Sequence, residues 1–402
     1  MKSNLIIILF VSSNFVFGNL LNTDLSNIPE EDTSSYVGKK ISSEFKTWQD
    51  KNSGYEITQW TSVGSNSHPY FTINSFIDKE NVLIFSKRSG DKQLYKLNLI
   101  SGEMIQLTNL KRLRNIEHLP DFKKVWLISD NKLYDLDTET FELNEIYNFA
   151  NFPYMVGSFT VTCNAKWFVF SSNRKEQSDG DCEYGPYEIY KLNLHDKSII
   201  PIIHITGFNI GHLQANPKDP NLILYCWQWE ALGRPKLVGD TPIRMWWINI
   251  DGTDGGPFKQ AFGLHATHEA WTPDGKYVTY SGDFRFGPNK GKEILGMQSL
   301  DGEFNKMYEA SVWHAHQTMF KDNKHWISDL YNHDDRKLVM FTRGENEMEK
   351  TEILFEHESS WEGQDSHPHP RFSPNGKYVI FSTDKTGEAQ VYTVKVNLNK
   401  LK

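Results

Sequence analysis

Four histidines stand at one spacing from a recurring turn. His369 precedes Pro374 by five residues and His268 precedes Pro273 by five, while His316 and His212 stand five before Lys321 and Pro217. One histidine at such a place is ordinarily a hydrogen-bonding residue of the core. Four in register are different, because an idle polar cluster is costly to bury. The corresponding earlier positions hold Ser158 and Ile73, so the repeat itself does not require histidine there. The segment Gln364-Asp-Ser-His367-Pro-His369-Pro adds neighbours. In an extended chain, residues two apart point the same way, so His367 and His369 can chelate one ion, with His316 from the adjacent repeat and an amide oxygen from Gln364. Imidazole and oxygen donors without thiolate suit a divalent ion such as Mn, Fe, Ni or Zn.

His268 then stands near the metal without ligating it. A neutral imidazole is a natural general base near neutrality; the alternative role is a fourth or fifth ligand. Arg244, in Pro242-Ile-Arg-Met-Trp-Trp-Ile-Asn249, offers a fork for a carboxylate. It follows a long insertion, Trp227 to Thr241, that could wall the site.

The elements that must position these residues come from an internal repeat. Thr272-Pro-Asp-Gly-Lys-Tyr-Val-Thr-Tyr-Ser281 recurs as Ser373-Pro-Asn-Gly-Lys-Tyr-Val-Ile-Phe-Ser382. Degenerate copies are Asn81–Ser86, Lys124–Ser129, Asn164–Ser171, Asp219–Tyr225 and Asp322–Ser328, spaced by about 40–55 residues. Each reads as an inner strand, a turn, a β-branched and aromatic strand, then two more strands such as Gln93–Leu99 and Glu103–Thr108. Four strands in seven units give an all-β fold, a seven-bladed β-propeller. The last unit ends at Val391–Val396 without a fourth strand. Tyr55–Thr61 is unclaimed before the first, so an N-terminal strand is expected to close the last blade and leave no open edge.

The 402 residues alone would suggest two or three domains at about 150 residues each; the repeat makes residues 45–402 one ring. Aromatics at 13% exclude a disordered chain, and 3 cysteines exclude a disulfide scaffold. With 43 basic against 51 acidic residues and a net charge of −8, nucleic acid is not an expected partner.

At the N-terminus, Lys2 precedes an apolar run from Leu5 to Val11 and a second one, Phe15–Phe17, with Val16 and Gly18 as small residues before a cleavage point. Residues 1–18 therefore read as a signal peptide and the protein as exported, periplasmic or secreted. The run is too short for a bilayer span, and no later segment is apolar enough for one. Residues 19–44 read as a linker or surface strap. In an oxidising space Cys163 and Cys182 are candidates to pair, with Cys226 left over.

Several of these segments resemble one family. Arg244–Gly252, Thr267-His-Glu-Ala-Trp-Thr-Pro-Asp-Gly275, Gln364–Pro370 and the continuation from Phe372 to Tyr392 closely resemble the oligogalacturonate lyases. Weaker matches are Thr47–Asp50, His68-Pro-Tyr-Phe71 and Gly211-His212, which mark His68, Tyr70 and His212 as candidate substrate-binding residues. The resemblance implies a seven-bladed propeller that cleaves short oligogalacturonides by β-elimination with a divalent metal, typically manganese. Carried over by motif, His316, Gln364, His367 and His369 match metal ligands, His268 the Brønsted base and Arg244 an active-site arginine. Two departures stand out. Export is unlike the cytoplasmic members, and the family's Cys-His-Glu-Gly stretch reads Cys226-Trp-Gln-Trp-Glu230 here, which leaves the accepted uronide open. The alternatives are a lyase for another uronate oligosaccharide and a non-catalytic propeller interaction module like TolB. The sequence does not fix the oligomeric state.

Overall fold

The recurring Pro-Asp-Gly turn explains how the repeat folds. Gly275 and Gly376 stand at φ +71° and +66°, where a Cβ is strained and glycine is not, and their N–H groups bond back to Thr272 O and Ser373 O at 2.8 Å. Three of the degenerate copies make the same turn without glycine. Lys123, Ala165 and Asn323 take φ of 53–56°, and each donates its N–H to the carbonyl three residues back. They are turns of one type, which is why the copies count as one repeat.

The computed structural model describes residues 36–174, 187–205, 209–228, 241–331 and 335–398. These residues fall in one unit spanning Ser35–Lys402. They form seven antiparallel sheets of four or five strands, each running from an inner strand at the axis to an outer one. Blades 2 to 6 are built from consecutive strands, beginning at Ile116, Tyr154, Ile210, Leu264 and His314.

The ring closes as expected. The strand Glu56–Gln59 pairs with Gln390–Lys395 of blade 7, with Ile57 opposite Val394 and Gln59 opposite Tyr392. Trp60 locks the seam, its indole N–H donating to Thr393 Oγ1 at 3.0 Å. Ile57 is fully buried there, which stabilises closure by about 1.5–3 kcal/mol. The preceding chain straps the same seam from outside. Lys40–Ile41 pairs along the outer edge of blade 1 and Lys46–Gln49 along that of blade 7. Between them Glu44 forms an ion pair with the nearly buried Arg88.

The second strand of each blade is sandwiched between neighbouring blades, so it is apolar on both faces. Val82, Leu83, Ile84 and Phe85 are all buried. Val169 and Ile189 of blade 3 pack with Ile223, Tyr225 and Ile248 of blade 4, and the aromatic surplus resides in such interfaces.

Blade 1 shapes the site. Its inner strand is only Asn66–Ser67, and the chain from His68 to Asn74 enters the axial channel instead. Three bonds pin that segment: His68 Nε2 with Pro368 O at 3.1 Å, Arg371 Nη1 donating to Phe71 O at 2.8 Å, and His118 Nδ1 with Asn74 O at 2.7 Å.

Residues 1–18, with the expected signal peptide, lie outside the described residues, as do Cys182 and residues 229–240 of the expected insertion. Among the described residues no helix is long and apolar enough to cross a membrane.

Candidate active site and metal centre

The in-register histidines are aimed by a shared backbone distortion. The pairing of inner and second strands shifts register between Gly211 and Gln214 in blade 4, Thr267 and Ala270 in blade 5, and His314 and Gln317 in blade 6. A bulge takes one residue out of the ladder and re-aims its side chain. His212, His268 and His369 reach φ of 49–51°, a left-handed backbone that costs a non-glycine residue about 1–3 kcal/mol. Strain repeated at three equivalent positions marks them as held for a purpose.

His316, His367 and His369 form a cluster whose candidate ligand atoms all lie within 4.8 Å of one another. The His316 and His369 rings are 4.2 Å apart between centroids, and His367 is 5.5 Å from each. His367 Nδ1 and His369 Nε2 are buried without a hydrogen-bond partner. His316 has its Nδ1 bonded to Asp329 Oδ2 at 3.0 Å, so the proton sits on Nδ1 and Nε2 keeps its lone pair. Three neutral imidazole lone pairs converging in a buried place fit a divalent metal and little else. Burial first, then the neighbouring rings, holds His316 and His369 well below the usual histidine range. Both are therefore neutral, as ligation requires. The Trp361 ring stacks on His316 at 5.6 Å and 12°. Gln364 opens the short 3-10 helix Gln364–Ser366 at the entrance, where it is exposed. The next residue ties that helix to blade 1, because Asp365 accepts from Ser67 Oγ, Lys92 and Lys87 at 3.0–3.2 Å.

His268 is half-buried beside this cluster, its ring 4.7 Å from that of His316. Burial, followed by the His316, His212 and Arg244 charges, lowers its basicity well below that of free histidine. It is thus unprotonated and able to accept a proton. Arg244 stands just before the third strand of blade 4, Met245–Asn249, and is buried. Its Nε donates to Glu269 Oε2 at 3.2 Å, and the other oxygen of Glu269 is 3.0 Å from His212 Nδ1. Burial alone would raise the Glu269 carboxyl, yet Arg244 and His212 hold it well below the usual range. His212, Cys226 and Glu269 form a second close group. A guanidinium already occupies that carboxylate, so it reads as an ion-pair network, and the metal is better served by the three histidines.

The channel segment of blade 1 completes the floor. The Tyr70 ring lies 4.7 Å from His369, 5.6 Å from His316 and 5.7 Å from His212, and Phe71 lies 5.2 Å from His316. His68 is buried against Pro368 and His369, and burial pushes it down to about 4. His68, Tyr70, His212, Gln364 and His369 all line one axial cavity of about 1220 Å3.

Sequence reasoning missed Glu269, Asp329, Cys226 and Trp361. Two of them carried a signal. The repeated string ends in serine at Ser86, Ser129, Ser171, Ser281 and Ser382. The copies of blades 4 and 6, Asp219–Tyr225 and Asp322–Ser328, each stop one residue short of the equivalent position, which is Cys226 and Asp329. The pairing verifies the first, since Cys226 faces Gly211 as Ser281 faces Thr267, each just before its bulge.

The family model described as "Oligogalacturonate lyase" matches residues 36–291. An oligogalacturonide lyase of Pectobacterium atrosepticum is 25% identical over 393 residues, covering 89% of this chain and 98% of the relative. An oligogalacturonate lyase of Dickeya dadantii is 24% identical over the same shares. Among solved structures, one of an oligogalacturonate lyase in complex with manganese superposes with a TM-score of 0.79 at 23% identity, covering 91% of this chain and 100% of that one. One from Vibrio parahaemolyticus gives 0.79 at 21%, covering 90% and 99%.

Proposed function

Because the chain belongs to the oligogalacturonate lyase family, we propose that it cleaves short oligogalacturonides, the fragments of pectin, by β-elimination. The observation that carries this reading is the pairing of a three-histidine metal cluster with a separate neutral histidine, His268, 4.7 Å from His316. Elimination at a uronate removes the C5 proton, α to a carboxylate, and expels the C4 oxygen. The obstacle is negative charge developing beside an existing carboxylate. His316, His367 and His369, with Gln364 at the entrance, would hold a divalent ion, which we assign as manganese. Such an ion supplies positive charge where the enolate-like transition state needs it.

The protein's own groups do the rest. His268 takes the C5 proton on a neutral ring nitrogen. Arg244, held in place by Glu269, faces the uronate carboxylate as a fork, with Tyr70 and His212 lining the floor. No attacking water is required, so a glycosidase pair of carboxylates is not needed. Residues 1–18 act as a signal peptide, and the enzyme meets its oligosaccharide outside the cytoplasm.

The test is incubation of the purified protein with di- and trigalacturonate, with Mn2+ and with chelator, followed at the ultraviolet absorbance of the unsaturated product. Product that appears with Mn2+ and vanishes with chelator is expected. Its absence with galacturonides, and its appearance with alginate or glycosaminoglycan fragments, would reassign the substrate.

A further inference from the structure

Asp329 is wholly buried at the end of the second strand of blade 6, His325–Leu330. Its Oδ1 accepts the backbone N–H of His316 at 2.6 Å. Its Oδ2 accepts His316 Nδ1–H at 3.0 Å and the backbone N–H of His369 at 3.2 Å. One carboxylate thus grips two residues of the histidine cluster, from two blades. The rest of the ring shows what this position does by default. In blade 3 it is Ser171, whose Oγ accepts only the N–H of Ser158, the residue equivalent to His316, at 3.0 Å. In blade 5 Ser281 Oγ donates to Thr267 O and to Ala315 O of the next blade and lies 3.5 Å from His268 Nδ1. In blade 7 Ser382 Oγ accepts the N–H of His68 from blade 1 at 3.0 Å. A serine thus serves the bulge or the neighbouring blade with a single oxygen. Aspartate adds a second acceptor, and that acceptor is spent on a ring nitrogen and on the neighbouring blade.

We propose that Asp329 is the positioning residue of the metal centre: it fixes His316 as the Nδ1–H tautomer, so that Nε2 faces the ion, and it sets the spacing between His316 and His369. This rests on the metal reading above. A carboxylate behind a ligating imidazole orients the ring and raises its donor strength, and losing such a partner typically weakens metal affinity about 10–100-fold. Removing the carboxylate should not cost the fold, because serine is what five other blades carry there.

The experiment compares wild type with Asp329→Ser and Asp329→Asn, first as apoprotein and then titrated with Mn2+ by electron paramagnetic resonance of the free ion. Asn keeps the size of the side chain but offers one acceptor where three donors converge. Both variants are expected to keep the apoprotein melting temperature or raise it, and to bind Mn2+ about 10–100-fold more weakly. Affinities within twofold of wild type would overturn the proposal, as would a loss of stability with affinity unchanged. The His316 tautomer of the wild-type apoprotein, read from imidazole 15N shifts, tests the assignment without any metal. A proton on Nε2 would overturn it even if both variants misfold. If wild type itself fails to bind Mn2+, the metal reading falls while the tautomer still decides the role of Asp329.

Discussion

Arg244 Nε lies 3.2 Å from Glu269 Oε2, inside a fold where both side chains are buried. Glu269 follows His268 directly, and its second oxygen meets His212. The base and the arginine are therefore held from one short stretch of blade 5. Glu269→Gln should lower kcat/KM for digalacturonate by about 10–100-fold, because a buried guanidinium that loses its charged partner loses its orientation. Steady-state kinetics on the Mn2+-loaded variant check this. An unchanged kcat/KM would mean that Arg244 is positioned by other contacts.

His268→Ala should cost about 100–10,000-fold in kcat, the range of a positioned general base. The metal should remain near one per chain, since the close three-histidine cluster does not include His268. Elemental analysis beside the ultraviolet assay separates the two roles. Metal loss in this variant would make His268 a ligand, and full activity would remove it from the chemistry.

His367→Ala should behave in the opposite way. Its Nδ1 is buried without a hydrogen-bond partner, so its removal takes away a metal donor at the cost of one hydrogen bond to the Trp361 backbone. We expect the variant to melt within a few degrees of the wild-type apoprotein and to lose bound Mn2+ after dialysis. Undiminished metal content would sink the ligand assignment.

The fold was legible because a propeller writes its register into sequence. Turn, strand and serine recur, and a missing fourth strand at Val391–Val396 announced the partner strand at Tyr55–Thr61. The histidines of the site were legible for the same reason, since they occupy one repeat position. Glu269 and Asp329 were not read because a buried carboxylate has no periodic signature of its own. Asp329 is visible only as a substitution against the repeated serine, and Glu269 only once a bulge and a neighbouring blade bring Arg244 to it. The inward course of the segment His68–Asn74 escaped for another reason, although the family resemblance marks His68 and Tyr70. A degenerate first repeat looks like a poor strand, and nothing local says that the chain turns inward.

Below the site, the channel holds a carboxylate whose protonation is tied to folding. Glu117 accepts from Thr160 Oγ1 at 2.8 Å, and that hydroxyl in turn accepts the N–H of Ala215 at 3.0 Å, linking blades 2, 3 and 4. Burial pushes the Glu117 carboxyl up to about 7, against the opposing pull of Thr160, the His118 N–H and Arg371. A carboxyl raised above its unfolded value keeps its proton longer in the folded state. The native protein therefore binds more protons than the unfolded chain between about pH 4.5 and pH 7, and stability falls as pH rises through that window. Gln at this position keeps an acceptor for Thr160 and cannot ionise. Glu117→Gln should match wild type near pH 4 and exceed it at pH 8, by at most about 3 kcal/mol. Urea unfolding at the two pH values measures the difference. Equal pH slopes for the two proteins would show that Glu117 ionises freely in the channel, with Arg371 offsetting the cost of its burial.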